Sequence, residues 1–171
     1  MTPAQASSDP VLAELHAAAR APAFAARVAE LVRKLERQLD DAPATPMTWE
    51  PVPLGAFGRP LPPQIASCWV FVLRAGTELP AERHSNSHQR SLGLTGSGRF
   101  ELRENGRWVP TAITPDAWGS APQGMWHRWF TGPDGLALLS FHTVVAEELM
   151  EEHATRPGDF DGPTEGRRYQ A

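Results

Sequence analysis

A chain of 171 residues is long enough for one domain with a buried core. It is 41% apolar and 21% charged, a globular composition, and its net charge is −4 with histidine neutral. Lys and Arg form no single basic block, so attraction to phosphate backbones is weak and no nucleic-acid partner is expected. The lone cysteine, Cys68, excludes an intrachain disulfide framework and, inside an apolar run with no base nearby, reads as a buried inert thiol. No basic segment leads into an apolar one at the start, and no apolar run could span a bilayer. A cytoplasmic protein without membrane contact is the expectation.

Two helices are predicted first. Asp9-Pro10 offers an N-cap with proline at the first helical position, followed by Val11, Leu12 and Leu15. Pro22 restarts the pattern, and Phe24, Val28, Leu31, Val32, Leu35 and Leu39 recur at helical intervals up to about Asp41. That narrow apolar stripe suits packing on a barrel or on a partner subunit.

The period changes at Trp49. Residues 49–63 are proline-rich and read as an arm or edge strand, and Ile65 to Arg74 is a continuous apolar run that suits a buried strand. Shorter strands are predicted over 83–95, 98–103, 108–113, 117–120, 126–130 and 136–145, separated by Gly, Pro, Asn or Asp. Glu104-Asn105-Gly106 reads as a hairpin turn, because Asn-Gly tolerates positive φ. Strands at this spacing indicate an antiparallel sandwich or barrel. A short closing helix is expected over 146–153. The reading divides the chain into an N-terminal helical extension (1–45), a β-barrel (46–153) and an irregular tail without a packing pattern (154–171).

Chemistry concentrates in two places. Taken as one extended strand, 82–94 puts Glu82, His84, Asn86, His88, Arg90, Leu92 and Leu94 on one face and small polar residues on the other. The two leucines mark the first face as inward, so the histidines point inward with them. Buried imidazoles beside a buried carboxylate need either reciprocal hydrogen bonds or a metal. Further on, Pro122-Gln123-Gly124-Met125-Trp126-His127 sets a histidine after a tight turn, at the start of another strand.

The first stretch reads Gly76-x5-Glu82-x-His84-x3-His88-x7-Gly96, and the second Pro122-x-Gly124-x2-His127. These resemble the two motifs of the cupin superfamily, G-x5-H-x-H-x(3,4)-E-x6-G and G-x5-P-x-G-x2-H-x3-N, over roughly residues 65–145. The ligand inventory is similar to the family's, with Glu and one His exchanged. Asp116 stands where the second motif has its first Gly, and Thr131 where it has Asn. On the longer spacing Gln89, not His88, takes the family's Glu position; parity with Leu92 and Leu94 favours His88.

The resemblance implies an all-β fold, the cupin double-stranded β-helix or jelly-roll barrel, with the helices as an extension, and a homodimer. It implies a divalent transition metal at His84, His88, His127 and Glu82, with Fe(II) expected and Mn, Ni, Cu or Zn as alternatives that suit the same donors. Glu82 reads equally as a ligand, a base or a solvated strand-edge carboxylate. Arg90 is expected to orient the carboxylate of an anionic small-molecule substrate, the alternative being an internal salt bridge. His142 is a candidate base or a satisfied core histidine, Trp129 a candidate pocket wall, and His16 and His153 surface residues. Three functions fit: a non-haem dioxygenase acting on a small organic acid, a metal-dependent isomerase, lyase or decarboxylase, and a non-enzymatic binder or sensor.

Overall fold

The computed structural model describes residues 9–168. Helix α1 (Pro10–Ala19) is capped as its sequence predicts: Asp9 Oδ1 accepts from the Val11 amide at 3.0 Å. Helix α2 (Pro22–Asp41) buries Phe24, Val28, Val32, Leu35 and Leu39, the apolar stripe of its sequence. No helix among the described residues is long and apolar enough to cross a membrane.

The strands are β1 (Met47–Pro51), β2 (Ser67–Leu73), β3 (Glu82–Arg83), β4 (Gln89–Glu104), β5 (Arg107–Ile113), β6 (Trp118–Ala121), β7 (His127–His142), β8 (Met150–Ala154) and β9 (Thr164–Arg168). Two of them do most of the organising. The C-terminal half of β7 lies between β2 and the first half of β4, while its N-terminal end lies between β3 and the second half of β4. Both long strands therefore pass through both ends of one curled sheet, all of whose pairings are antiparallel. That is jelly-roll architecture. β4 bends at register shifts between Gly93 and Thr95 and between Gly96 and Gly98. Gly93 is required there, since a Cβ would sit 2.2 Å from the Thr114 carbonyl oxygen. The β4–β5 hairpin turns on Asn105 (φ 50°) and Gly106 (φ 77°), as Asn-Gly predicts.

Three expectations are corrected. The stretch 82–94 is not one strand: β3 ends at Arg83, a turn occupies Ser85 and Asn86, and β4 starts at Gln89. Residues 146–153 form a 3₁₀ turn (Ala146–Glu148) and β8, not a closing helix. The tail is not irregular throughout. β9 pairs with β8, and Phe160 packs against Trp108 and Trp126, whose Nε1 donates to the Phe160 carbonyl at 2.8 Å.

Two apolar cores result. One lies between the helices and the outer face of the sheet, where Phe24 stacks on Phe57 at 3.8 Å and Leu92, Leu139 and Phe141 are buried. The other fills the barrel with Trp69, Phe71, Leu73, Phe100, Leu102, Trp129 and Leu138. Each large apolar side chain buried in either core contributes about 1.5–3 kcal/mol. The helical extension therefore closes a core that the sheet alone would leave open to water.

Candidate metal centre

The turn at Ser85–Asn86 decides which side chains meet. Partners directly opposite in an antiparallel pair share a face, so Gln89 (opposite His142) and Ser91 (opposite Ser140) point into the barrel. Arg90 (opposite Phe141) and Leu92 (opposite Leu139) point outward, under the helices. Leu92 is buried, but outside the barrel. The inward face of β4 is thus the odd one up to the first bulge, contrary to the parity expected from the leucines.

His88 and Arg90 consequently do not reach the barrel. His88 Nε2 lies 2.8 Å from Ser120 Oγ, and burial with the nearby Arg90 guanidinium pushes the imidazole down to about 4. Arg90 Nε lies 3.4 Å from Asp9 Oδ2, at the cap of α1; it is the internal ion pair, not a guanidinium facing the cavity. His16 is on the surface beside Asp116, and Cys68 is fully buried, its thiol pushed up by desolvation.

Glu82, His84 and His127 do converge. Glu82 stands opposite His127 in the β3–β7 register, and His84 follows where β3 ends. Their relative exposures are 9%, 3% and 0%, and one ligand atom from each lies within 4.8 Å of the others. Main-chain carbonyls orient both rings. His84 Nδ1 lies 2.8 Å from Met150 O and His127 Nδ1 3.2 Å from Met125 O; with each ring proton on Nδ1 and donated to its carbonyl, both Nε2 atoms are lone pairs. Burial lowers the His84 pKa, so its imidazole is neutral near pH 7, the form that ligates. His127 Nε2 is 3.3 Å from Glu82 Oε1, yet it is buried without a hydrogen-bond partner among the described residues. An orphaned imidazole lone pair facing a carboxylate oxygen is what a cation would satisfy.

Gln89 adds a further oxygen, with Oε1 3.1 Å from His84 Nε2 and its amide nitrogen donating to Ser91 Oγ. His142 is fully buried, its ring edge-on to His84 at 5.1 Å, and its Nε2 has no hydrogen-bond partner among the described residues. Desolvation first, then the neighbouring imidazoles, hold it well below the usual histidine range. A second group, Glu82, Glu151 and His153, could also hold an ion. There, however, His153 donates to Glu151 at 2.7 Å and Arg167 donates to the same carboxylate, so His153 Nε2 and Glu151 Oε1 are already engaged. The Glu151 carboxylate raises the His153 pKa.

A cavity opens beside the first cluster. Its polar end is Glu82, His84, Gln89, Ser140 and His142; its apolar end includes Met47, Phe71, Leu79, Trp129 and Leu138. About 20 Å³ is free for the centre of a water-sized molecule, room for one or two waters. No arginine or lysine lines it among the described residues. Gln89 was visible in the sequence as the alternative to His88, and Trp129 as a wall. The Met125 and Met150 carbonyls carry no sequence signal, and the contact of Arg167 with Glu151 depends on how the tail folds back.

No protein-family model matches this sequence, and no curated protein matches it. Solved structures do. Pumpkin seed globulin aligns at TM-score 0.51 and 15% identity over 63% of this chain and 28% of that one, and the coconut allergen cocosin at 0.50 and 20% over 63% and 27%. The chain has the cupin fold. Oxalate oxidase in complex with glycolate aligns at 0.48 and 10% identity over 58% of this chain, which spans 51% of that chain's length. At these identities the likeness extends to the fold alone, and the chemistry must be read from this chain's own cavity.

Proposed function

We propose that this cupin holds a divalent transition metal ion at Glu82, His84 and His127, and is a metal-dependent enzyme acting on a small organic acid in the manner of a non-haem dioxygenase. The observation that carries the reading is the orphaned Nε2 of His127, buried 3.3 Å from Glu82 Oε1 while its Nδ1 is committed to Met125 O. Two imidazoles and one carboxylate, with room beside them, make the donor set that non-haem Fe(II) oxygenases use, and the same donors accept Mn, Ni, Cu or Zn. Gln89, at the start of β4, supplies an optional fourth donor through Oε1. Bound there, the ion would supply Lewis acidity and, as iron, one-electron chemistry with dioxygen.

The residues around it define the rest. Phe71, Leu79, Trp129 and Leu138 exclude water from the apolar end, which strengthens electrostatic interactions at the polar end. With Arg90 turned away, attraction for an anionic substrate comes from the ion and not from a guanidinium. The small cavity favours a compact substrate, or requires displacement of Met47 or Leu79 at its apolar end. His142, neutral and without a partner at Nε2, is available to accept a proton from a bound molecule. That observation favours the second reading, a metal-assisted isomerase, lyase or decarboxylase.

Metal content measured on protein purified without a metal-affinity tag tests the site. One equivalent, lost in His84→Ala and His127→Ala and retained in His88→Ala, is the expected result. Absence of any bound metal, with stability unchanged by a chelator, would leave only a non-enzymatic binder. Oxygen consumption by the Fe(II)-loaded protein with small organic acids then separates the dioxygenase from the second reading.

A further inference from the structure

β3 is only two residues long, and its pairing with β8 covers Glu82↔His153 and Arg83↔Glu152. Beyond Arg83 the chain turns away, so the main chain of 148–150 loses a strand neighbour on that side. A side chain takes over. Asn86, from the turn, donates through Nδ2 to the Glu148 carbonyl at 2.6 Å and accepts at Oδ1 from the Met150 amide at 3.1 Å. A carboxamide carries the same donor and acceptor as a peptide group, so Asn86 extends the ladder by one rung. The Met150 carbonyl held in this way is the acceptor for His84 Nδ1, at 2.8 Å.

The turn is tied down on its other flank as well. The Gly124 amide donates to His84 O at 2.8 Å, and Gln123 Nε2 donates to Ser85 O at 2.7 Å. Those bonds fix where His84 sits. They do not fix which of its nitrogens carries the proton. A neutral imidazole has one N–H, and whichever nitrogen donates leaves the other as the ligand atom. With Met150 O in place, the proton belongs on Nδ1 and the lone pair on Nε2 faces the cluster. With Met150 O displaced, Nε2–H donating to Gln89 Oε1 at 3.1 Å becomes the competing arrangement, and that tautomer cannot bind a metal through Nε2.

We infer that Asn86 is a positioning residue for the metal centre: by clamping 148–150 it locks His84 in the Nδ1–H tautomer and so presents Nε2 to the ion. This rests on the metal-site reading above, but the tautomer itself is a property of the metal-free protein.

The test has two arms on the whole 171-residue chain. Long-range ¹H–¹⁵N spectra of the histidine side chains in the metal-free protein report the His84 tautomer directly. Titration with Co(II) reports affinity. The wild type should show Nδ1–H at His84. Asn86→Ala should show Nε2–H or a mixture, with Co(II) affinity reduced roughly tenfold, the scale of a lost outer-sphere partner. Asn86→Asp keeps the acceptor for the Met150 amide and loses the donor to Glu148, so it should fall between the two and serves if the alanine variant fails to fold. A tenfold loss of Co(II) affinity in Asn86→Ala with the His84 tautomer unchanged would reduce Asn86 to a structural role and overturn the inference. An unchanged Nδ1–H tautomer in both Asn86 variants overturns it as well. A wild type that binds no Co(II) overturns the metal site instead, whatever the tautomer.

Discussion

His127 and Glu82 face each other across the β3–β7 pairing: His127 Nε2 and Glu82 Oε1 are 3.3 Å apart, and with its ring proton on Nδ1, directed to Met125 O, His127 presents a lone pair to the carboxylate. Such an arrangement is unfavourable without a cation and favourable with one. Glu82→Gln should therefore have opposite effects on the two states. The amide can donate to Nε2, so the metal-free protein should melt roughly 2–4 °C higher, the shift expected for about 1 kcal/mol in a chain of this size. Metal affinity should fall by at least tenfold. Thermal unfolding in chelator and calorimetric metal titration check both halves; a lower melting temperature in chelator would mean that the pair is already hydrogen-bonded.

Gln89 and His88 are adjacent, yet only Gln89 faces the cavity. Gln89→Ala should weaken metal binding by roughly tenfold, because it removes the amide beside His84 Nε2. His88→Ala should leave the metal content unchanged. Metal analysis of the two variants side by side decides, and loss of metal in His88→Ala alone would show that β4 runs in the other register.

The pH dependence of stability carries a His88 contribution of definite sign. In the fold the imidazole titrates at about 4, against 6.5 for an unperturbed histidine. Between those values the unfolded chain takes up the proton and the native protein does not, so stability falls as pH drops from 6.5 towards 4. The lowered His84 and His142 act in the same direction. His88→Gln should shrink the loss seen between pH 7.5 and pH 5 in urea unfolding with chelator present. An identical loss would show that His88 is not held neutral.

Asp9 has two roles at once, as the cap of α1 and as the partner of the buried Arg90. Asp9→Ala should cost about 2 kcal/mol, more than the ~1 kcal/mol of a lost cap, because Arg90 is left without its counter-charge. Adding Arg90→Met should recover part of that loss, since an apolar side chain suits the helix-covered core better than an unpaired guanidinium. Urea unfolding of the single and double variants measures the difference. Neither change should alter metal content, since both lie outside the barrel.

Much of this protein is determined locally and so could be read from its sequence. Helix α2 follows from apolar residues at helical spacing, the cap at Asp9 from its side-chain oxygen, and the β4–β5 hairpin from the positive φ that Asn105 and Gly106 accept. Glu82, His84 and His127 stood out because a carboxylate and imidazoles bracket the strand ends of a recognisable barrel, and the structure brings these three together. What local pattern could not decide was direction. Leu92 is buried whether it faces the barrel or the helices, and only the docking of α1 and α2 on the outer face shows which. The turn at Ser85–Asn86 then shifts the register, placing Gln89 inside and turning His88 and Arg90 outward. The carbonyls of Met125 and Met150, which set the two imidazole tautomers, belong to backbone that every residue carries, and only the tertiary fold aims them.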